Sequence, residues 1–234
     1  MSDQPAVLVV TGASGAGKST LVRGLCALEL PGVGCYEFDS VGVPPPEEME
    51  RVWGGGEQWQ AAMTEQWIER LLRNDDGVEV AVLDGQTRPS VIREVLARRG
   101  VRLGRIVLVD CGHEERNARL RGPRGQPELA NPHMDCWAAY LAGQAHALGL
   151  PIVRTDGRSV EEGVAELSAY VRELFERSSY GAAPDDVRGK RRSPPAVRAA
   201  SGLLSIRNRD LNVAAPRTQP RHHHGHRGRK RRFR

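Results

Sequence analysis

Mainly apolar runs of strand length recur at residues 6–10, 33–38, 78–83, 106–109 and 152–155, and stretches with helical periodicity lie between them. Trp59, Met63, Trp67 and Leu71 stand four residues apart, which draws one apolar stripe along a helix and leaves Glu57, Glu65, Glu69 and Arg70 on its other faces. Met134, Trp137, Leu141, Ala145 and Leu148 repeat that spacing, as do Val160, Val164, Leu167, Val171 and Leu174. These stripes are read as core. Unbroken apolar strands alternating with amphipathic helices fit a parallel sheet, because parallel neighbours need long crossovers and the crossover helices bury both faces. The expectation is therefore an α/β domain, a three-layer doubly wound parallel sheet of about five strands. In such sheets ligands sit beyond the carboxyl ends of the strands, so the residues just after each run are the ones to inspect.

Directly after the first run comes Gly12-Ala13-Ser14-Gly15-Ala16-Gly17-Lys18-Ser19-Thr20, which fits G-x-x-x-x-G-K-[ST] and leads into a helical run at 21–28. Small residues let backbone N–H groups turn around phosphate oxygens, the helix start adds its positive end, Lys18 reaches the outer phosphates, and the Ser19 hydroxyl can ligate magnesium. With this chain's own residue frequencies, about 0.003 chance matches are expected over its length. Lys18 is also the sole lysine before Lys190, while arginine fills every other basic position in between. A compact ammonium on a flexible stem has been kept at one site, where it differs in function from a planar guanidinium. The expected ligands are ATP and Mg2+.

Charge changes the picture of the chain's organisation. Residues 1–177 carry 19 Lys plus Arg against 26 Asp plus Glu, a net of −7, whereas residues 178–234 carry 15 against 3, a net of +12. The second segment is dominated by Gly, Pro, Arg, Ser and Ala and ends in a His- and Arg-rich run, a composition that buries too little apolar surface to offset its ordering entropy. Two parts are expected: a folded domain at 1–177 and a disordered basic tail at 178–234. Two readings of the tail stand side by side: an arm that binds nucleic acid weakly or an acidic surface, since counterion release needs little more than clustered cations, and an extension without function. Residues 1–5 lack a positive cluster and the apolar run that follows is far too short for a membrane span, so a cytoplasmic location without membrane attachment is expected. Cys26, Cys35, Cys111 and Cys136 are widely spaced with no CxxC pair, and are read as ordinary reduced thiols.

The glycine loop, Asp39 closing the second strand, the run Leu83-Asp84-Gly85-Gln86-Thr87-Arg88 and the arginine-rich segment after the fourth strand together resemble the P-loop small-molecule and nucleotide kinases. That group contains adenylate, shikimate and gluconate kinases, and the resemblance covers roughly residues 6–177. It implies an ATP-dependent kinase in which a mobile lid covers the phosphates. Phosphoryl transfer then needs an acid beside the magnesium, a carboxylate facing the acceptor hydroxyl and cations over the transferred group.

For the first task Asp84 and Asp110 both follow hydrophobic strands; Asp84 is favoured, because the resemblance assigns the fourth strand to the lid. Asp39 takes the second task by the same resemblance, as a base or an orienting group, with a turn residue as the plain alternative. Arg88 is a candidate clamp for an anionic acceptor or else a solvated surface arginine. Arg116, Arg119, Arg121 and Arg124 run into Gly122-Pro123 and Gly125, so charge and hinge chemistry coincide; Arg116, Arg119 and Arg124 are the expected lid cations. The plain alternative is a basic helix end favoured by the macrodipole. His133 is a weaker candidate. A guanine-reading Asn-Lys-x-Asp cannot occur, since no lysine stands between Lys18 and Lys190. A motor ATPase would need a larger module. A nucleotide-binding switch without transfer activity, and a polynucleotide kinase that holds nucleic acid with the tail, stay open, and the acceptor is not legible.

Overall fold

The computed structural model describes residues 4–179. Its five strands are β1 (Ala6–Thr11), β2 (Val33–Glu37), β3 (Val80–Asp84), β4 (Gly104–Asp110) and β5 (Ile152–Arg154), all parallel in the order β2-β3-β1-β4-β5. Seven helices alternate with them: α1 (Lys18–Cys26), α2 (Pro46–Trp53), α3 (Gly56–Arg73), α4 (Pro89–Arg98), α5 (His113–Arg121), α6 (Pro132–Ala147) and α7 (Val160–Ser179). The doubly wound three-layer architecture expected from the apolar pattern is the one found. The register that pairs Val10 with Asp84 and Glu37 with Asp84 brings the carboxyl ends of β1, β2 and β3 to one level.

Alternate residues of each strand feed opposite cores, which is why the strands read as unbroken apolar runs. Leu8, Val10, Val80, Val82 and Val107 pack with Leu21, Leu25, Leu167, Val171 and Leu174 from α1 and α7. Val7, Val9, Ala81 and Leu83 pack on the other face with Trp59, Trp67, Ile68 and Leu71 from α3 and with Ile92 and Val95 from α4. Leu108 joins Leu120, Met134, Trp137, Leu141 and Ala145 in a third group beneath α6. The stripes drawn from the sequence are therefore core, except at their ends: Leu148 caps α6 half-buried, and Val160 is exposed at the start of α7.

Two sequence readings need correction. The cysteines are not all free thiols. Cys26, at the end of α1, and Cys35, in β2, form a disulfide with Cα atoms 6.3 Å apart. Their nine-residue separation carries no motif, and only the return of the chain from α1 into the sheet edge brings them face to face. Cys111 is free and buried, and Cys136 is free and exposed. Second, β2 ends at Glu37 and so stops short of Asp39; at the other end of the described residues, α7 runs to Ser179. The basic tail lies outside the described residues. Among the described residues, no helix is long and apolar enough to cross a membrane.

Candidate active site

The loop between β1 and α1 is held by its carbonyls. Thr155 Oγ1 donates to the Ala16 carbonyl at 2.8 Å, Arg119 Nη1 reaches the same oxygen at 3.4 Å, and the Cys111 thiol lies 3.7 Å from the Gly15 carbonyl. In a planar trans peptide, a carbonyl fixed toward the protein directs the next N–H the opposite way, so the Gly17 N–H faces outward. Gly17, at φ +95°, is in the left-handed region where a side chain would be strained, and a Cβ at Gly12 would collide with the Val109 carbonyl. The helix that follows starts at Lys18 with no side-chain cap and no acidic residue in its first turn. Its first N–H groups and the positive end of its dipole are thus offered to an anion.

Lys18 Nζ lies 2.7 Å from Asp84 Oδ1 and 3.5 Å from Ser19 Oγ. Asp84 is buried, with a side chain only 5% exposed, so its charge is sustained by that ammonium. Asp110 is turned elsewhere, accepting from Arg154 Nη1 at 2.7 Å across the β4–β5 pair. Of the two candidates for the magnesium side, Asp84 is the one beside Lys18 and Ser19.

Asp39 does not close β2, which ends at Glu37. It stands in the 3₁₀ turn Phe38–Val41 that follows. That turn is anchored from below: the Trp67 indole donates to the Phe38 carbonyl at 3.1 Å, and the Phe38 ring meets Trp59 edge to face at 6.0 Å. Asp39 keeps contact with solvent, but the protein packed about its carboxylate removes enough water to raise its pKa above the ordinary value. Lys18 opposes that shift, Asp84 and Glu37 add to it, and Arg124 opposes it. Asp39, Lys18, Asp84 and Arg124 therefore share one electrostatic environment.

The arginines of α5 divide. Arg116 is buried; it donates to the Cys111 carbonyl at 3.2 Å and to Asp135 Oδ1 at 2.6 Å, tying α5 to α6. Burial pushes the Asp135 pKa upward, but the hydrogen bonds from Arg116 and His113 outweigh it and hold the group below its ordinary value. Arg119 bonds Glu115, Thr155 Oγ1, the Thr155 carbonyl and the Ala16 carbonyl, so it braces the glycine loop against the end of β5. Arg124, beyond the helix, is exposed and engages Gln126. His133 is exposed on the first turn of α6.

Arg88 is not a solvated surface arginine. It is buried, donates to Gln60 Oε1 at 2.7 Å, approaches Glu57 Oε2 at 3.7 Å and lies over the Trp137 ring at 5.0 Å. The sequence reading missed Gln60, Gln86 and Thr155. Gln60 Nε2 donates to the Gln86 carbonyl at 2.6 Å, and Ser14 Oγ donates to Gln86 Oε1 at 3.0 Å, a chain from α3 to the glycine loop. Thr11 Oγ1 donates to the Thr87 carbonyl at 2.6 Å and fixes the same turn to β1. Gln86 and Thr155 both stand just beyond strand ends, the one signal that could have flagged them.

No family model and no curated protein matches the chain. Solved structures similar to it include shikimate kinase from Acinetobacter baumannii in complex with shikimate, at 16% identity over 73% of this chain and 95% of that one, with a TM-score of 0.45. A sugar kinase from Janibacter sp. is 21% identical over 72% of this chain and 95% of its own, with a TM-score of 0.48. A gluconokinase from Sinorhizobium meliloti is 19% identical over 75% and 97%, with a TM-score of 0.47. At these identities the strand order, the uncapped α1 and the Lys18–Asp84 pair stand on this chain's own residues.

Proposed function

We propose that this protein is an ATP- and magnesium-dependent phosphotransferase that moves the terminal phosphoryl group of ATP to a hydroxyl of a small-molecule acceptor. The observation that carries the reading is the Lys18–Asp84 contact of 2.7 Å at the mouth of an uncapped helix, with Asp39 in the same electrostatic environment.

The residues present fit the donor and its metal. A loop of Gly12, Ala13, Ser14, Gly15, Ala16 and Gly17, closed to side chains at Gly12 and Gly17, offers N–H groups to phosphate oxygens, and Lys18, Ser19 and Thr20 follow it at the helix start. Magnesium takes one or two protein oxygens and leaves the rest of its shell to phosphates and water, and Ser19 and Asp84 are the hydroxyl and carboxylate beside the loop. When bound, the ion supplies charge neutralisation to the outer phosphates. Lys18 carries the compact charge that meets the transferred group. Asp39 accepts or orients the acceptor's proton, and its raised pKa makes it a better base than an ordinary aspartate. Arg124 adds positive charge from outside the helix, and Arg119 and Arg116 hold the loop and α5 in register for it.

The test is incubation of the purified protein with labelled ATP, magnesium and a pooled set of acceptors, followed by identification of the phosphorylated product. Transfer that disappears in Lys18→Ala and in Asp39→Asn supports the reading. ATP binding with no transfer to any acceptor returns the protein to the class of nucleotide-binding switches.

A further inference from the structure

The segment that carries Asp39 has an uneven charge pattern. Residues 37–60, which run from the end of β2 through α2 into the first turn of α3, carry six carboxylates and one cation, Arg51. Of the cations that act on Asp39, Lys18 pairs with Asp84 at 2.7 Å and stands at the phosphate loop, and Arg124 follows α5 on the phosphate side.

The cation joined to Gln86 through Gln60 is Arg88, which is already provided for. Its side chain is 9% exposed. Glu57 lies 3.7 Å from Nη2, Gln60 accepts from Nη1 at 2.7 Å, and the indole of Trp137 covers one face of the guanidinium. A clamp for a carboxylate or phosphate presents two parallel N–H groups to the ligand, and a guanidinium enclosed in this way has its charge balanced inside the protein. What stands beside the glycine loop in its place is uncharged: the amide of Gln86, oriented by Ser14 Oγ at 3.0 Å and held through its carbonyl by Gln60. Amides and hydroxyls match the donor and acceptor pattern of hydroxyl groups.

We propose that the acceptor is a hydroxylated molecule without a carboxylate or phosphate, a neutral or amine-bearing polyol, and that Glu57 sets this preference by serving as the counter-ion of Arg88. The inference rests on the phosphotransferase reading and adds the acceptor's charge class to it. An anionic acceptor has to displace Glu57 from a buried cation while facing the acidic segment at 37–60, so discrimination comes from repulsion as much as from fit.

The experiment offers the full chain magnesium-ATP and three pools of matched five- and six-carbon acceptors: neutral sugars and alditols, amino sugars, and aldonic acids with sugar phosphates. Products are read by mass spectrometry and initial rates compared, with the KM for ATP measured in parallel. Transfer to the neutral and amino pools should exceed transfer to the acid pool by about tenfold or more, the ratio that one unmatched charge of 1.4 kcal/mol commands. Glu57→Gln, at a half-exposed position, should raise acid-pool transfer by about tenfold with the KM for ATP within about twofold. A wild-type preference for the acid pool overturns the proposal, and so does a Glu57→Gln variant that melts like wild type without gaining acid-pool transfer. ATP binding that depends on Lys18 with no product from any pool overturns the phosphotransferase reading itself, and this inference falls with it.

Discussion

Replacing Asp39 by Asn probes catalysis and stability through one environment. Because the protein packed about its carboxylate raises the folded-state pKa above the unfolded value, ionised Asp39 weakens the fold, by an amount that its solvent exposure keeps small. The penalty is absent below the unfolded pKa, sets in as pH rises through it and is complete above the folded pKa. Asp39→Asn should therefore raise the melting temperature slightly at neutral pH while abolishing transfer, an exchange of activity for stability. An equal or lower melting temperature, or turnover within a few-fold of wild type, reduces Asp39 to a turn residue. The same shift places the acid limb of kcat/KM above the ordinary aspartate range, with activity lost as pH falls through it, and a pH profile checks this. Lys18→Ala acts in the opposite sense on stability. It removes the charge that meets phosphate and strands buried Asp84, so magnesium-ATP binding and turnover should vanish while unfolding free energy falls by about 3 kcal/mol, the scale for breaking one side of a buried pair. Calorimetric titration with ATP and denaturant unfolding measure the two effects separately, and unchanged ATP affinity with unchanged turnover removes the central reading.

At the scale of elements, a sequence written in apolar runs discloses what each segment buries but not which distant segments meet. β1, β3 and β4 were legible because along 6–10, 80–83 and 106–109 both faces are covered and every position is apolar, and the glycine loop was legible because its chemistry is local. The Ser14–Gln86 bond spans 72 positions and the Thr155–Ala16 bond spans 139, so no spacing announces either. Arg116 and Arg124 look alike as letters in a basic stretch. One turn of α5 decides that Arg116 faces inward onto Asp135 and Cys111, while Arg124 lies past the helix end. The two should separate by experiment: Arg124→Ala lowers kcat with the melting temperature unchanged, whereas Arg116→Ala lowers the melting temperature first. A triple replacement that includes Arg116 and Arg119 would confound loss of charge with loss of the brace on Ala16. The Cys26–Cys35 bond gives a third element-scale expectation. Closing so short a loop is worth about 2–3 kcal/mol in chain entropy, so reductant, or Cys26→Ala, should lower the melting temperature by several degrees, and reductant should then have no further effect on the variant. A melting temperature indifferent to both would mean that the bond does not stabilise the fold.

Over the whole molecule, the net charge of +5 is the sum of an acidic segment at 1–177 and a basic segment at 178–234. Residues 4–179 contain the sheet, the glycine loop, Asp39, Asp84 and the arginines of α5, so every group assigned a part in transfer lies in the described domain. α7 packs Val164, Leu167, Val171 and Leu174 into the core beside α1, which makes the end of that helix, and not the compositional boundary two residues earlier, the place to cut. A chain truncated after Ser179 should fold, bind magnesium-ATP and transfer phosphate to a small acceptor at the full-length rate. Any nucleic-acid binding by the full-length protein should disappear with the truncation and should already fall steeply with salt, since each phosphate contact made by a tail arginine or lysine releases a counterion. Filter binding of a short oligonucleotide at low and moderate salt, run beside the transfer assay, measures both halves of the expectation. If truncation leaves a folded, ATP-binding domain that has lost transfer to every small acceptor, the basic segment belongs to the active site, and a nucleic-acid end becomes the acceptor that the acidic domain alone would repel.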